Sequence, residues 1–329
     1  MLVRTVHRCF ALVGAVALGL GMSIAACGDG DSTTSAPRTT VPAEEPTTTV
    51  TTTEATTTVG ASTTTEASTT TTAVPVETTL VNVYWGWTVL NPPSGSPERI
   101  GAGAREVAGD APVRHALEAM FDGVNSLEQS IGMTTSIPAG TRVLGIDGDA
   151  PIATVDLSAE FAAPSGSLDE TMRLAQVVFA VTQFDGIDRV AFRIEGMVQD
   201  PILSHGFVVG DGLSRDDFED VRPTILIEQP YPGADVANRL VIRGESNTFE
   251  ATVRYAITSG GGDGLVVTEG FATATGGNGI WGSFEVVVDL SDFPSDYQPG
   301  PGSIIMWEDS ARDGSQLGVV EVPVVLPEL

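Results

Sequence analysis

The chain has 329 residues and sets 43 acidic residues against 16 basic ones, every basic residue being arginine, for a net charge of −27. Such a surface repels phosphate backbones and anionic head groups, which argues against nucleic acid and peripheral lipid as partners. Only two cysteines are present, Cys9 and Cys27. Both lie within the first 27 residues, so the rest of the chain holds no thiol for disulfides, thiolate catalysis or cysteine-based metal sites.

The N-terminus reads as an export signal. Arg4 and Arg8 precede an apolar run from about Phe10 to Ile24, followed by Ala25, Ala26 and Cys27. The run is shorter than the roughly 20 apolar residues that span a bilayer. A charged start, a short apolar segment and small residues at a cleavage point form a secretory signal. The ending Ile24-Ala25-Ala26-Cys27 resembles the lipobox of bacterial lipoproteins. That resemblance implies cleavage before Cys27, lipid attachment at Cys27, and a place on the outer face of the cytoplasmic membrane. An uncleaved anchor helix is the alternative.

Residues 28–79 are dominated by Thr, with Pro, Ala, Ser and Glu and no aromatic side chain. A tract of this kind lacks the apolar surface to offset its ordering entropy and reads as a disordered stalk. Stretched, its roughly 50 residues reach about 170 Å; as a relaxed coil they average about 40 Å.

The first folded segment is expected over 80–222. Val81-Asn82-Val83-Tyr84-Trp85 alternates as a strand, and a Pro/Gly/Ser loop follows at 91–97. Asp110 is placed to cap a helix with Pro112 in its first turn. Val113, Ala116, Leu117, Met120 and Phe121 form its apolar stripe, and Gly123 stops it. Two strands near 141–146 and 151–157 flank a turn at Gly148-Asp149. Ser167-Leu168-Asp169-Glu170 matches a capping box, opening a helix with Leu168, Met172, Ala175 and Phe179 on one face. Val190, Phe192 and Ile194 alternate along a last strand. The predicted order is β-α-β-β-α-β, a helix-backed sheet of the α+β class.

Four blocks here, VYWGW, VRHALEAMFDG, IPAGTRVLGIDGDAPIATVDLSAEF and LAQVVFAVTQFDGIDRVAFRIEG, resemble the GerMN domain of GerM-type sporulation and germination lipoproteins. The resemblance implies a small α/β module, similar to ring-building motifs, that associates side by side. It supplies no catalytic residues.

From 223 to 329 the chain becomes short β runs separated by Gly, Pro and Asp. Strands are expected near 224–227, 239–243, 249–258, 265–274, 284–290, 303–308 and 318–326, with Phe249, Ala251, Val253, Tyr255 and Ile257 on one face. Seven alternating strands suggest a β-sandwich. The blocks YPGADVANRLVIRGESNTFEATVRYAI, WGSFEVVVDL and WEDSARDGS resemble the immunoglobulin-like domain of bacterial spore germination. The charged stretch Arg215–Arg222 reads as a linker, so each folded part is expected to fold alone.

Candidate chemistry is sparse. His115 reads as a core-edge or surface residue rather than a general base. His205, beside Ser204 and near Asp200, outlines a hydrolase-like trio, but no nucleophile elbow surrounds it. Asp147-Gly148-Asp149 and the run Asp216-Asp217-Phe218-Glu219-Asp220 are candidate Ca2+ ligands without EF-hand spacing, so a turn and a solvated acidic linker are the plainer readings. In the loop Glu308 to Ser315, Asp313-Gly314 suits a turn, and Arg312 is placed to pair with Glu308 or Asp309. Gly101-Ala102-Gly103 lacks the third glycine of a dinucleotide loop. Trp85, Trp87, Trp281 and Trp307 are aromatic platforms for a wall polymer if exposed, and core residues otherwise.

The sequence therefore predicts an exported, lipid-anchored, non-catalytic scaffold with no metal and no cofactor. Its expected partner is another envelope protein or a second copy, contacted through a sheet edge or helix positions such as Arg114 and Arg173. Alternatives are a wall-polymer binder, or a peptidoglycan hydrolase or its regulator.

Overall fold

A computed structural model describes residues 77–89, 98–290 and 296–328. Cys27, the apolar run at 10–24, the Thr-rich tract up to 76 and the loop 91–97 lie outside the described residues. Among those described, no helix is long and apolar enough to cross a membrane.

The α/β part opens with a hairpin. Strand β1 (Thr78–Thr88) pairs antiparallel with β2 (Glu98–Ala108), from Thr78 opposite Ala108 to Thr88 opposite Glu98. The sequence reading has no β2, because ERIGAGAREVA lacks apolar alternation. Its glycines seat tryptophans instead. A Cβ at Gly101 would strike the Trp87 ring, and one at Gly103 would strike Trp85 and Glu128.

Helix α1 (Pro112–Phe121) ends as expected at Gly123, whose φ of 91° glycine adopts freely. Its N-cap is Ala111, not Asp110, and no side chain caps it. The short helix α2 (Ser126–Ser130) is an addition, and here the capping box is real. Asn125 accepts from the Glu128 amide at 2.9 Å, while Glu128 accepts from the Asn125 amide at 2.7 Å.

Strands β3 (Val143–Asp147), β4 (Ile152–Leu157), β5 (Arg189–Ile194) and β6 (Met197–Val198) make a sheet in that order. The β4–β5 pair is parallel, and α3 (Ser167–Val181) supplies the crossover. Expected to bury one face, α3 is buried on every side from Met172 to Val181. The hairpin accounts for this by covering the side away from the sheet; Gln176 donates to the Tyr84 carbonyl of β1 at 2.6 Å. Leu168, placed in the apolar stripe, is 41% exposed. Gly166 is the N-cap, so Ser167 does not form the predicted capping box and Glu170 turns elsewhere.

The β part contains seven strands, β7 (Ile225–Gln229), β8 (Arg239–Ser246), β9 (Thr252–Ser259), β10 (Leu265–Thr273), β11 (Gly282–Asp289), β12 (Gly300–Asp309) and β13 (Gln316–Leu326). They form two sheets, ordered β11-β8-β7 and β10-β9-β12-β13. Between them lies a core that includes Ile242, Val253, Ile257, Ile304, Met306 and Val322. Strand β9 starts later than predicted. Glu250 and Ala251 adopt φ of 53° and 56°, which breaks the strand and leaves Phe249 exposed.

The described residues form one compact unit. Leu226 of β7 joins the apolar core of the α/β part, while Val89 joins the core of the sandwich. The Ile100 amide of β2 donates to the Val221 carbonyl at 2.7 Å.

Candidate functional site

The stretch read as a solvated linker is a fixed hub. Ser214 opens a 3-10 turn at Arg215–Phe218, and both its amide and its hydroxyl donate to Asp217, at 2.7 and 2.9 Å. Phe218 and Val221 are buried in the core of the α/β part. Those anchors fix Arg215 and Arg222 at the seam between the α/β part and the sandwich.

Arg215 lies 2.9 Å from Glu228 and 3.0 Å from Glu245, both of the sandwich. It also donates to the Thr182 hydroxyl at 3.1 Å and the Tyr84 hydroxyl at 3.1 Å, and stacks 4.7 Å from the Phe179 ring. The Tyr84 hydroxyl in turn donates to Glu228 at 2.5 Å. Arg222 meets Glu245 at 2.5 Å and Asp216 at 3.0 Å, with its guanidinium 3.8 Å from the centre of the Trp281 ring.

Burial alone pushes the Glu245 carboxyl up, but the Arg215 and Arg222 guanidiniums outweigh it and hold the carboxyl below its usual value. Burial drives the Tyr84 hydroxyl far above its usual value despite the pull of Arg215, with Glu228 adding to the rise. Arg215 stays charged although burial opposes it, because Tyr84, Glu228 and Glu245 surround it. Chemically the hub is a clamp.

Above the hub lies an open polar cleft of about 890 Å³. Of the four tryptophans, Trp85 and Trp307 are buried and Trp87 is half-buried. Trp281, also half-buried, lines this cleft.

A second cluster gathers at the start of α3. The Glu170 carboxylate, 3% exposed, lies 2.9 Å from His205 Nδ1. It accepts from the His205 amide at 3.0 Å, from the Ser204 hydroxyl, and from the Ser165 amide at 3.3 Å. Ser204 and His205 are thus brought together, but around Glu170. Asp200 is not a member; it accepts from the Val209 amide at 3.0 Å. The Ser204 proton points at the carboxylate, and the imidazole nitrogen facing Ser204 at 3.4 Å is the one that Glu170 already holds. A proton relay from serine to histidine does not form in this arrangement. The cluster fastens the loop after β6 to α3.

Burial alone pushes the Glu170 carboxyl up, yet the bonds from Ser204, from the His205 ring and amide, and from the Ser165 amide bring it from 4.5 down to about 2. A depressed carboxylate stabilises the fold above its unfolded value and loses that contribution as pH falls towards its folded one. The stability gap between the wild type and Glu170→Gln is therefore expected to shrink as pH falls from about 5 towards about 2. Urea unfolding at a series of pH values checks this; a gap indifferent to acid contradicts the latch.

The other candidates are structural. His115 Nδ1 lies 2.8 Å from the Ala108 carbonyl, and Asp110 is 3.6 Å away. Asp147 pairs with Arg193 at 2.9 Å, and Gly148 turns the chain with φ of 114°. Glu308 accepts from the Phe249 amide at 2.9 Å, and Asp309 from the Trp307 indole at 2.8 Å. Arg312 reaches Asp313 rather than Glu308 or Asp309, at 3.8 Å. Among the described residues no three His, Cys, Asp or Glu side chains are grouped to hold a metal ion.

Arg114 is half-exposed and donates to the Val143 carbonyl at 3.0 Å. Arg173, expected on a helix surface, is 2% exposed. It donates to the carbonyls of Ser136, Phe161 and Ala163, to the Ser165 hydroxyl, and to Asp169.

Residues 82–200 match the family model of sporulation and spore germination (Germane). Residues 224–315 match that of the immunoglobulin-like domain of bacterial spore germination (Gmad2). No curated protein matches the chain. Among solved structures, a chain described as "Putative Lipoprotein from Clostridium perfringens" is 18% identical, covering 44% of this chain and 93% of that one at a TM-score of 0.31. The first GerMN domain of the sporulation protein GerM from Bacillus subtilis is 25% identical, with 41% and 99% coverage and a TM-score of 0.30. The tandem GerMN domains of the same protein give 19% identity, 66% and 63% coverage and a TM-score of 0.36. The chain thus carries a GerMN-type sporulation and germination domain followed by an immunoglobulin-like domain of bacterial spore germination.

Proposed function

We propose that the protein is a lipid-anchored module of the bacterial cell envelope, tethered through Cys27, that acts by binding rather than by catalysis. The observation that carries this reading is the commitment of its reactive side chains to one another. Ser204 and His205 are held by Glu170, and the arginines and glutamates of the hub are paired across the seam. The matches to sporulation and germination domains support a role in envelope processes of that kind. The lipobox-like ending at Cys27 and the Thr-rich tract after it support tethering at a distance from the membrane. A second envelope protein or a second copy is the expected partner.

The test is made on the full chain expressed in its host. Wild type is expected in the membrane fraction with a diacylglyceryl mass on Cys27, while Cys27→Ser is released or accumulates unprocessed. An unmodified Cys27 in processed, membrane-bound protein contradicts the tether. Binding of a wall polymer is the second reading, favoured by the half-buried Trp281 in the cleft wall.

A further inference from the structure

We infer that the cleft above the hub is a binding site for a neutral, hydroxyl-rich ligand, namely a short oligosaccharide such as a stretch of wall glycan. Its volume of about 890 Å³ lies within the range of roughly 300–1,000 Å³ typical of ligand sites. The ligand's charge follows from the walls. Asp188, Asp216, Glu228 and Glu245 all line the cleft and oppose an anion. Its three arginines are already bonded to protein oxygens: Arg215 to Glu228 and Glu245, Arg222 to Glu245 and Asp216, and Arg189 to the Gly212 carbonyl at 2.8 Å. The same three guanidiniums oppose a cation. A neutral ligand is left.

The remaining lining selects for hydroxyl groups. Asn82, Gln229, Thr275 and Ser283 present amides and hydroxyls from both sides of the seam, while the Gln183 amide is engaged by the Asn82 backbone and the Ala180 carbonyl. The Thr275 hydroxyl accepts from the Ser283 amide at 3.0 Å and shares a bond with the Ser283 hydroxyl at 3.4 Å, which leaves one O–H donor and two acceptor sites of the pair for a ligand. Sugars match such a surface, since each hydroxyl both donates and accepts. Trp281, half-buried in the wall with the Arg222 guanidinium stacked on one ring face, offers a small aromatic contact for the C–H groups of a sugar ring. An apolar ligand finds little here, because Trp281 and Leu80 are among the few large apolar side chains in the walls.

The inference rests on the wall-polymer reading and gives it a place and a ligand class. It is tested by equilibrium binding of chitotetraose to the purified full chain in detergent, alongside sedimentation with isolated wall sacculi. Two variants obstruct the cleft from opposite walls at exposed positions, Asp188→Tyr and Ser283→Tyr. Wild type is expected to bind the oligosaccharide with a Kd on the order of 1 mM or tighter, and each folded variant to bind at least about tenfold more weakly. Sodium phosphate and an extended polar peptide at the same concentrations are expected not to compete. Undiminished binding by both variants, or displacement by the peptide or phosphate, overturns the cleft assignment. Sacculus binding unaffected by the variants overturns it as well, while leaving the wall-polymer reading standing. Absence of binding to both chitotetraose and sacculi overturns both.

Discussion

Replacing Arg215 by alanine is expected to lower the unfolding free energy of the full chain by about 3–5 kcal/mol. The side chain bridges Glu228 and Glu245, and removing it leaves the shielded Glu228 carboxylate and the Tyr84 hydroxyl without their cation and Glu245 with Arg222 alone. A buried pair is damaged most when one partner is deleted, because the other charge stays desolvated and uncompensated. The double variant Arg215→Met/Glu228→Leu is expected to recover part of the loss by removing charge from both sides. Urea midpoints of the two singles and the double give the coupling. A loss in Arg215→Ala below about 1 kcal/mol, typical of an exposed pair, contradicts the clamp. Because the clamp joins the two parts, wild type is expected to unfold in one transition and Arg215→Ala to separate it into two.

Arg173→Ala is expected to cost at least about 3 kcal/mol, and Arg173→Glu to leave the chain unfolded. The alanine variant strips a donor from the carbonyls of Ser136, Phe161 and Ala163 within a largely buried site. Each unsatisfied buried group costs about 1–3 kcal/mol. Circular dichroism and urea unfolding measure the effect. A folded Arg173→Glu with weakened partner binding restores the surface role expected from sequence. Arg114→Glu, at a half-exposed position, is the change suited to testing association.

The sandwich was largely legible because its strands alternate apolar and polar residues between turn residues. Strand β9 shows the limit: Phe249 and Ala251 continue the alternation, but left-handed backbone at Glu250 and Ala251 delays the start of the strand to Thr252. Strand β2 was illegible because Gly101 and Gly103 serve tryptophans on the paired strand, a need that local periodicity does not record. Missing β2 also hid the second cover over α3, so a helix buried on every side was read as one-faced.

Arg173 was misread for a related reason. With Asp169 four residues before it, it resembles a solvated helix pair, whereas its other partners lie up to 37 residues away in sequence. Of the candidate cluster, Ser204 and His205 were visible as neighbours; Glu170, which gives them their role, is 35 residues from His205. The hub residues escaped because a run of arginine and aspartate around Phe218 has the composition of a linker. Only Phe218 and Val221, apolar within that run, signalled that the segment enters a core.

Complementation of a deletion strain by Ser204→Ala/His205→Ala at native expression level tests the non-catalytic account most directly. The account predicts full complementation, with the variant folded and in the membrane fraction, because this pair fastens a loop and performs no chemistry. Loss of complementation by a variant that is folded, abundant and membrane-bound would contradict it and return the protein to the class of envelope hydrolases.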